Sequence, residues 1–210
     1  MEITTRDALI VVDVQNDFCA GGPLAVPEGD AVIAVIHRIA PRFEHIVLTQ
    51  DWHPQGHCSF ASSWPGKKPL EVVEHAGGEQ RLWPDHCVQG TRGAELHPTL
   101  ALPQAELILR KGFRREIDSY SAFFENDHTT PTGLAGYCQE RGLERMFFAG
   151  LAYDFCVGFS ALDARRCGFE AVVIRDACRG IDVEESVARM DAELERAGVW
   201  VRRSSDLDRS

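Results

Sequence analysis

The chain has 210 residues and a formal net charge of −10, a length that fits one domain (residues 1–210) able to bury its own core without disulfides or metal. That charge would repel a phosphate backbone and no Lys/Arg cluster offsets it, so a nucleic-acid partner is excluded from expectation. No apolar stretch approaches the roughly 20 residues of a membrane span.

The chain opens on MEITTRDALIVVDV, which enters a strand-like run with no signal-peptide pattern. Its 7 cysteines are an odd number, scattered, with no C-x-x-C pair. A soluble protein of the reducing cytoplasm, away from membranes, is expected.

In chain order the apolar runs are ALIVVDV (8–14), HIVLTQ (45–50), ELILRK (106–111), RMFFAG (145–150), EAVVIRD (170–176) and VWVRR (199–203). They are continuously apolar, as strands covered on both faces are. Between the first two, Val32, Val35, Ile36, Ile39, Ala40 and Phe43 keep a helical period, and before the last so do Val183, Val187, Met190, Leu194 and Ala197. Glu184, Glu185, Glu193 and Glu195 read as the solvated face of that later helix. Strands alternating with helices predict a three-layer αβα fold, a doubly wound and mostly parallel six-stranded sheet. No internal repeat or low-complexity tract interrupts it. Segments 51–104 and 112–130 are too long for ordinary connections, and such loops are usually functional.

Ligands of open α/β sheets bind beyond the carboxyl ends of the strands. There this chain carries Asp13, Lys111 and Asp176 at the ends of the first, third and fifth runs, and Asp51 with His53 and Cys156 after the second and fourth. Cys156 in GLAYDFC falls where a strand turns into a helix, with Asp154 as the expected N-cap. A thiol at a helix start feels the dipole and nearby amides, which favour thiolate and can hold an oxyanion. Cys138, Cys167 and Cys178 read as buried apolar side chains. Lys111 as a surface lysine is the plain alternative to a catalytic one. Asp13, directly after a buried strand, needs a partner. Acid, ammonium and thiol together suffice for nucleophilic catalysis.

The stretch TQDWHPQGH supplies Asp51, His53 and His57 around a turn at Pro54 and Gly56. These are metal-type donors, with His86 or His75 as a further one, and Zn²⁺, Fe²⁺ and Mn²⁺ all suit the set. A loop-capping Asp with solvated His residues is the competing reading.

Five ordered segments carry a resemblance: LIVVDVQNDFCAGGPLAVPEGD, TQDWHPQGHCSFA, LWPDHCVQGTRGAELHP, the lysine motif running into EIDSYSAFFEN, and GLAYDFCV. Over nearly its whole length the sequence resembles the nicotinamidases (pyrazinamidases) of the isochorismatase-like cysteine hydrolase superfamily. The resemblance implies that fold, with Cys156 as nucleophile assisted by Asp13 and Lys111. It implies one divalent ion, zinc first with Fe²⁺ or Mn²⁺ as alternatives, on Asp51, His53, His57 and His86. It also implies a pocket of Phe18, Trp83 and Tyr120, an oxyanion hole of the Ala152 and Cys156 amides, and a cis peptide between Leu151 and Ala152. The activity implied is hydrolysis of nicotinamide, and of pyrazinamide, to the acid and ammonia through a cysteine thioester in NAD salvage. Relatives often assemble as dimers or larger oligomers. An amidase for another substrate, a metal-hydroxide hydrolase without a covalent intermediate, and a non-catalytic binding protein are the alternatives. Isochorismatase activity fits less well, because those relatives lack the nucleophilic cysteine. Two departures fall near the motifs: Tyr153, where many relatives have Thr, and Phe113–Arg115 after the lysine.

Overall fold

Every residue of β1 (Asp7–Val12) is buried, because the strand lies inside a sheet covered on both sides. The computed structural model describes residues 1–75 and 78–207. After β1 come α1 (Ala31–Ile39), β2 (His45–Asp51), β3 (Val72–His75), β4 (Gly78–Arg81) and β5 (Leu107–Lys111). Then follow α2 (Leu134–Glu140), β6 (Arg145–Leu151), α3 (Gly158–Arg166), β7 (Glu170–Arg179), α4 (Ser186–Arg196) and β8 (Trp200–Arg202). All six predicted runs become strands of one sheet, in the order β5-β2-β1-β6-β7-β8. Every pairing within it is parallel. The small antiparallel hairpin of β3 and β4 lies inside the long 51–104 segment.

Alternate residues of each central strand feed opposite layers. Leu9, Val11, Phe147 and Ala149 pack with Val32, Ile36 and Ile39 of α1. Ala8, Ile10, Met146 and Phe148 pack with Leu134 of α2, Ala161 and Ala164 of α3, and Met190 and Leu194 of α4. This is the three-layer arrangement expected of continuously apolar strands. Among the described residues no helix is long and apolar enough to cross a membrane.

The helix ends differ from the periodicity. α1 stops at Ile39 and tightens into a 3-10 turn over Ala40–Arg42, since Pro41 has no N–H to continue the ladder. α4 starts at Ser186, not at Val183. Asp182, Glu184 and Glu185 take left-handed φ values of 60°, 52° and 62°, which an α-helix cannot contain. Glu184, Glu185, Glu193 and Glu195 are exposed as expected.

From β1 the chain runs through α1 to β2 on one flank and later returns to β6 on the other. The strand order thus reverses beside β1, where a crevice opens at the carboxyl edge. β1 and β6 approach closely there: at Gly150, with φ 121°, any Cβ would collide with the Val12 backbone.

Candidate active site

Four strand ends meet in that crevice. Asp13 follows β1 with φ 47°, Asp51 and Lys111 end β2 and β5, and Cys156 lies five residues beyond the end of β6. Lys111 is fully buried and its ammonium is the hub. Nζ lies 2.9 Å from Asp13 Oδ2, donates to Asp51 Oδ1 and to the Ser119 carbonyl at 2.9 Å, and sits 3.5 Å from Cys156 Sγ. Burial alone favours a neutral lysine. Here burial is outweighed by the two carboxylates, which hold the ammonium well above the usual lysine range.

The two acids respond differently to the same lysine. Burial pushes Asp51 up, but Lys111 and His53 outweigh it and hold this carboxyl well below the usual range. At Asp13 burial prevails over Lys111 and the group is raised. Thr49 donates to Asp13 Oδ1 at 2.5 Å, whereas Oδ2 has no aligned hydrogen-bond donor. The Asp13, Asp51 and Cys156 ligand atoms all lie within 4.8 Å of one another. Burial raises the Cys156 thiol well above its ordinary value, with Lys111 opposing and Asp13 reinforcing. Burial thus works against the thiolate expected from the helix dipole. The geometry holds a thiol beside a carboxylate whose Oδ2 also faces the Lys111 ammonium at 2.9 Å.

The turn that carries Cys156 is wider than a helix start. The Leu151–Ala152 peptide is cis, and the Ala152 carbonyl accepts from both Phe155 N and Val157 N at 3.1 Å. The second is an i to i+5 bond, a π-type turn of the kind that recurs at functional sites. Asp154 does not cap this turn as expected. Its carboxylate accepts from the Ile181 amide at 3.0 Å, the Asp182 amide at 2.8 Å and the Ser186 hydroxyl at 2.5 Å. It ties the nucleophile turn to the start of α4.

Cys156 opens into a pocket with about 340 Å³ of empty space, its mouth included. Phe18, Trp83 and Tyr120 line it, as does Ala152. Trp83 meets Phe155 edge-on at 4.9 Å between centroids and donates from Nε1 to the Tyr120 hydroxyl at 3.2 Å. Burial keeps that phenol un-ionised, well above its ordinary value. Leu24, Asp118, Phe155 and Ile181 complete the wall and were missed by sequence reasoning. Leu24, Asp118 and Phe155 sit inside motifs already singled out; Ile181 carries no local signal. The two departures lie elsewhere. Tyr153 is buried with its hydroxyl on Asp191 of α4 and Arg175 over its ring. Phe113 is exposed, Arg114 pairs with the buried Glu125, and the Arg115 carbonyl accepts from the Cys58 amide at 2.9 Å.

Asp51, His53 and His86 form a buried three-donor group on the same wall. His53 Nδ1 lies 2.8 Å from the Gly112 carbonyl and His86 Nδ1 2.8 Å from the Pro84 carbonyl. Both must donate from Nδ1, which leaves each Nε2 lone pair bare, as metal-bound imidazoles require. Those Nε2 atoms lie 3.6 and 3.8 Å from Asp51 Oδ2. These separations are long for hydrogen bonds and near the roughly 3.4 Å between neighbouring donors of a tetrahedral ion. The donor set fits a divalent metal. Gly112, with φ 64°, leaves no room for a Cβ against the His53 ring.

His57 is not brought into this group. Its Nδ1 meets Ser59 Oγ at 2.7 Å and its Nε2 meets the Arg114 and Ile117 carbonyls at 3.0 and 3.2 Å. Burial and the neighbouring His53 lower it to about 4, so the ring is neutral and its nitrogens are occupied by the protein. Three of the four expected ligands converge, while His57 stacks on His53 at 4.1 Å outside that group. His75, the other candidate, bonds the Glu116 carbonyl at 2.9 Å instead. Substituting His53 with Ala is expected to lower bound metal, measured by elemental analysis, to below half of the wild-type content. Unchanged content would remove His53 from the ligand set.

Residues 7–206 match the family described as Isochorismatase domain. A nicotinamidase of Acinetobacter baylyi is 53% identical over 95% of this chain and 93% of its own. A solved structure titled as an Acinetobacter baumanii nicotinamidase pyrazinamidase superposes with a TM-score of 0.96 at 52% identity, over 97% of this chain and 99% of the other. The pyrazinamidase of Pyrococcus horikoshii in complex with zinc gives 0.76 at 35% identity, over 94% and 99%.

Proposed function

This chain belongs to the isochorismatase family, and we propose that it hydrolyses nicotinamide, and also pyrazinamide, to the corresponding acid and ammonia. The observation that carries this reading is the buried Asp13, Lys111 and Cys156 set opening onto a small aromatic pocket. The similarity to a named nicotinamidase supports the same substrate.

Phe18, Trp83 and Tyr120 hold the ring so that the carboxamide carbon faces Sγ. Asp13 takes the Cys156 proton, and the thiolate attacks that carbon. Lys111, 3.5 Å from Sγ, steadies the anion. The amides of Ala152 and Cys156 stabilise the oxyanion. Asp13 then protonates the leaving amine, giving ammonia and a nicotinoyl thioester. Water adds to the thioester with Asp13 again as base, and nicotinate leaves as the thiol regains its proton. Asp51, His53 and His86 would hold a divalent ion, zinc before Fe²⁺ or Mn²⁺, which supplies Lewis acidity at the pocket wall when bound. The product acid enters NAD salvage.

Ammonia release from nicotinamide, pyrazinamide and a short aliphatic amide tests the substrate class. Burying the ring is expected to favour the two aromatic amides by roughly 10- to 100-fold in kcat/KM. Equal rates on the aliphatic amide would overturn the assignment.

A further inference from the structure

We propose that Glu125, paired with Arg114, is a positioning residue that acts through Ser119 to fix the Lys111 ammonium. The inference rests on the reading of Lys111 as a member of the catalytic set. Glu125 does not line the pocket, yet it is fully buried, and a buried carboxylate requires partners. One of its oxygens accepts from Arg114 Nη1. The other, Oε2, is buried without a hydrogen-bond partner, and among the described residues Asp13 Oδ2 is the only other carboxylate oxygen in that condition. Burial raises Glu125, while the Ser119 hydroxyl, Arg114 and the Lys111 ammonium all favour its ionised form. The side chain thus faces the groups that hold Lys111.

Ser119 is the link between them. Its carbonyl accepts from Lys111 Nζ at 2.9 Å and, together with Asp13 and Asp51, decides where the ammonium points. Its hydroxyl makes only a long bond, 3.3 Å, to the Ser121 carbonyl, which leaves it available to the Glu125 carboxylate. The surrounding loop closes on itself: the Asn126 amide donates to the Asp118 carbonyl at 2.8 Å and Asn126 Oδ1 accepts from the Tyr120 amide at 2.8 Å. Glu125 stands at the neck of that loop, its amide on the Thr130 carbonyl and its carbonyl on the His128 amide, both at 2.9 Å. Arg114 lies on the opposite flank, three residues after Lys111, with its carbonyl 3.0 Å from His57 Nε2. The ion pair therefore ties the segment leaving β5 to the returning end of the loop and keeps Ser119 against Lys111. Without the Glu125 charge, Ser119 is released and Nζ loses its fixed direction toward the two acids and Sγ.

The chain has three lysines, and Lys67 and Lys68 are exposed. In full-length protein labelled with ¹⁵N-lysine, Lys111 is expected to give the one slowly exchanging Nζ signal. In Glu125→Gln its hydrogen exchange should accelerate at least tenfold. On nicotinamide, kcat should fall by about 10- to 100-fold with KM within twofold, because the ring pocket is untouched. A merely structural role would lower the melting temperature and leave both the signal and kcat unmoved, which overturns the inference. Arg114→Gln alters a half-exposed side chain and keeps the test decisive where Glu125→Gln fails to fold. The same acceleration is expected there, and an unchanged Lys111 signal overturns the inference. The signal needs no substrate, so it decides this inference even if the wild-type chain hydrolysed neither aromatic amide.

Discussion

Cys156→Ala is expected to cut ammonia release from nicotinamide by about 10⁴-fold or more, the scale of losing a covalent nucleophile. The fold should survive, because Sγ belongs to the pocket and the change removes one small group. Metal content should also survive, because Asp51, His53 and His86 supply the donors without it. The same pocket predicts a thioester: acid quenching during turnover should trap the wild-type chain heavier by one nicotinoyl group, and the variant at its own mass. Substantial residual activity without an adduct would mean that water attacks the amide directly and that the acid and lysine serve another purpose.

The second large effect belongs to Lys111. In Lys111→Met the ammonium is gone, while Asp13 and Asp51 stay buried with oxygens within 4.8 Å of each other. Breaking a buried pair by removing one partner costs about 3–5 kcal/mol, and denaturant unfolding of metal-stripped protein should register that loss. The sign with pH is set by the lysine. Its folded pKa is raised above the unfolded value, so its contribution is fully present below that unfolded value and disappears only as pH rises through the raised one. At neutral pH the whole gap should therefore be visible. Catalysis fails for a related reason: burial already raises Asp13, and without Lys111 it rises further and stays protonated. A protonated Asp13 cannot take the thiol proton, and the rate should fall by about 10²- to 10⁴-fold. Wild-type stability in Lys111→Met would show that the two acids do not depend on this charge.

The strands were legible because two-sided burial leaves a simple trace, a run of apolar residues with no polar alternation. β1, β2 and β6 are read from that trace almost to their ends. The β3–β4 hairpin was not, because Val72–His75 and Gly78–Arg81 are largely exposed and short and follow neither period. The start of α4 was misjudged for a backbone reason: Val183 keeps the apolar beat, but left-handed residues beside it belong to a turn. Among these residues, Asp13, Asp51, Lys111 and Cys156 stood out because each ends or follows a strand, where a parallel sheet gathers its polar groups. Ile181 did not, since its place on the pocket wall comes from Asp154 drawing the 181–186 segment inward.

By itself the sequence determined the six strands, their parallel layering and the kinds of chemical group at their carboxyl ends, because burial and backbone periodicity act locally along the chain. Only the tertiary structure decided which groups meet and in which direction each one's proton affinity is pushed. Lys111 became the hub of two acids and a thiol, and His57 turned from the Asp51, His53 and His86 group to backbone carbonyls. Those outcomes depend on distances between residues far apart in sequence and on the low dielectric their packing creates, and neither is written in any one segment.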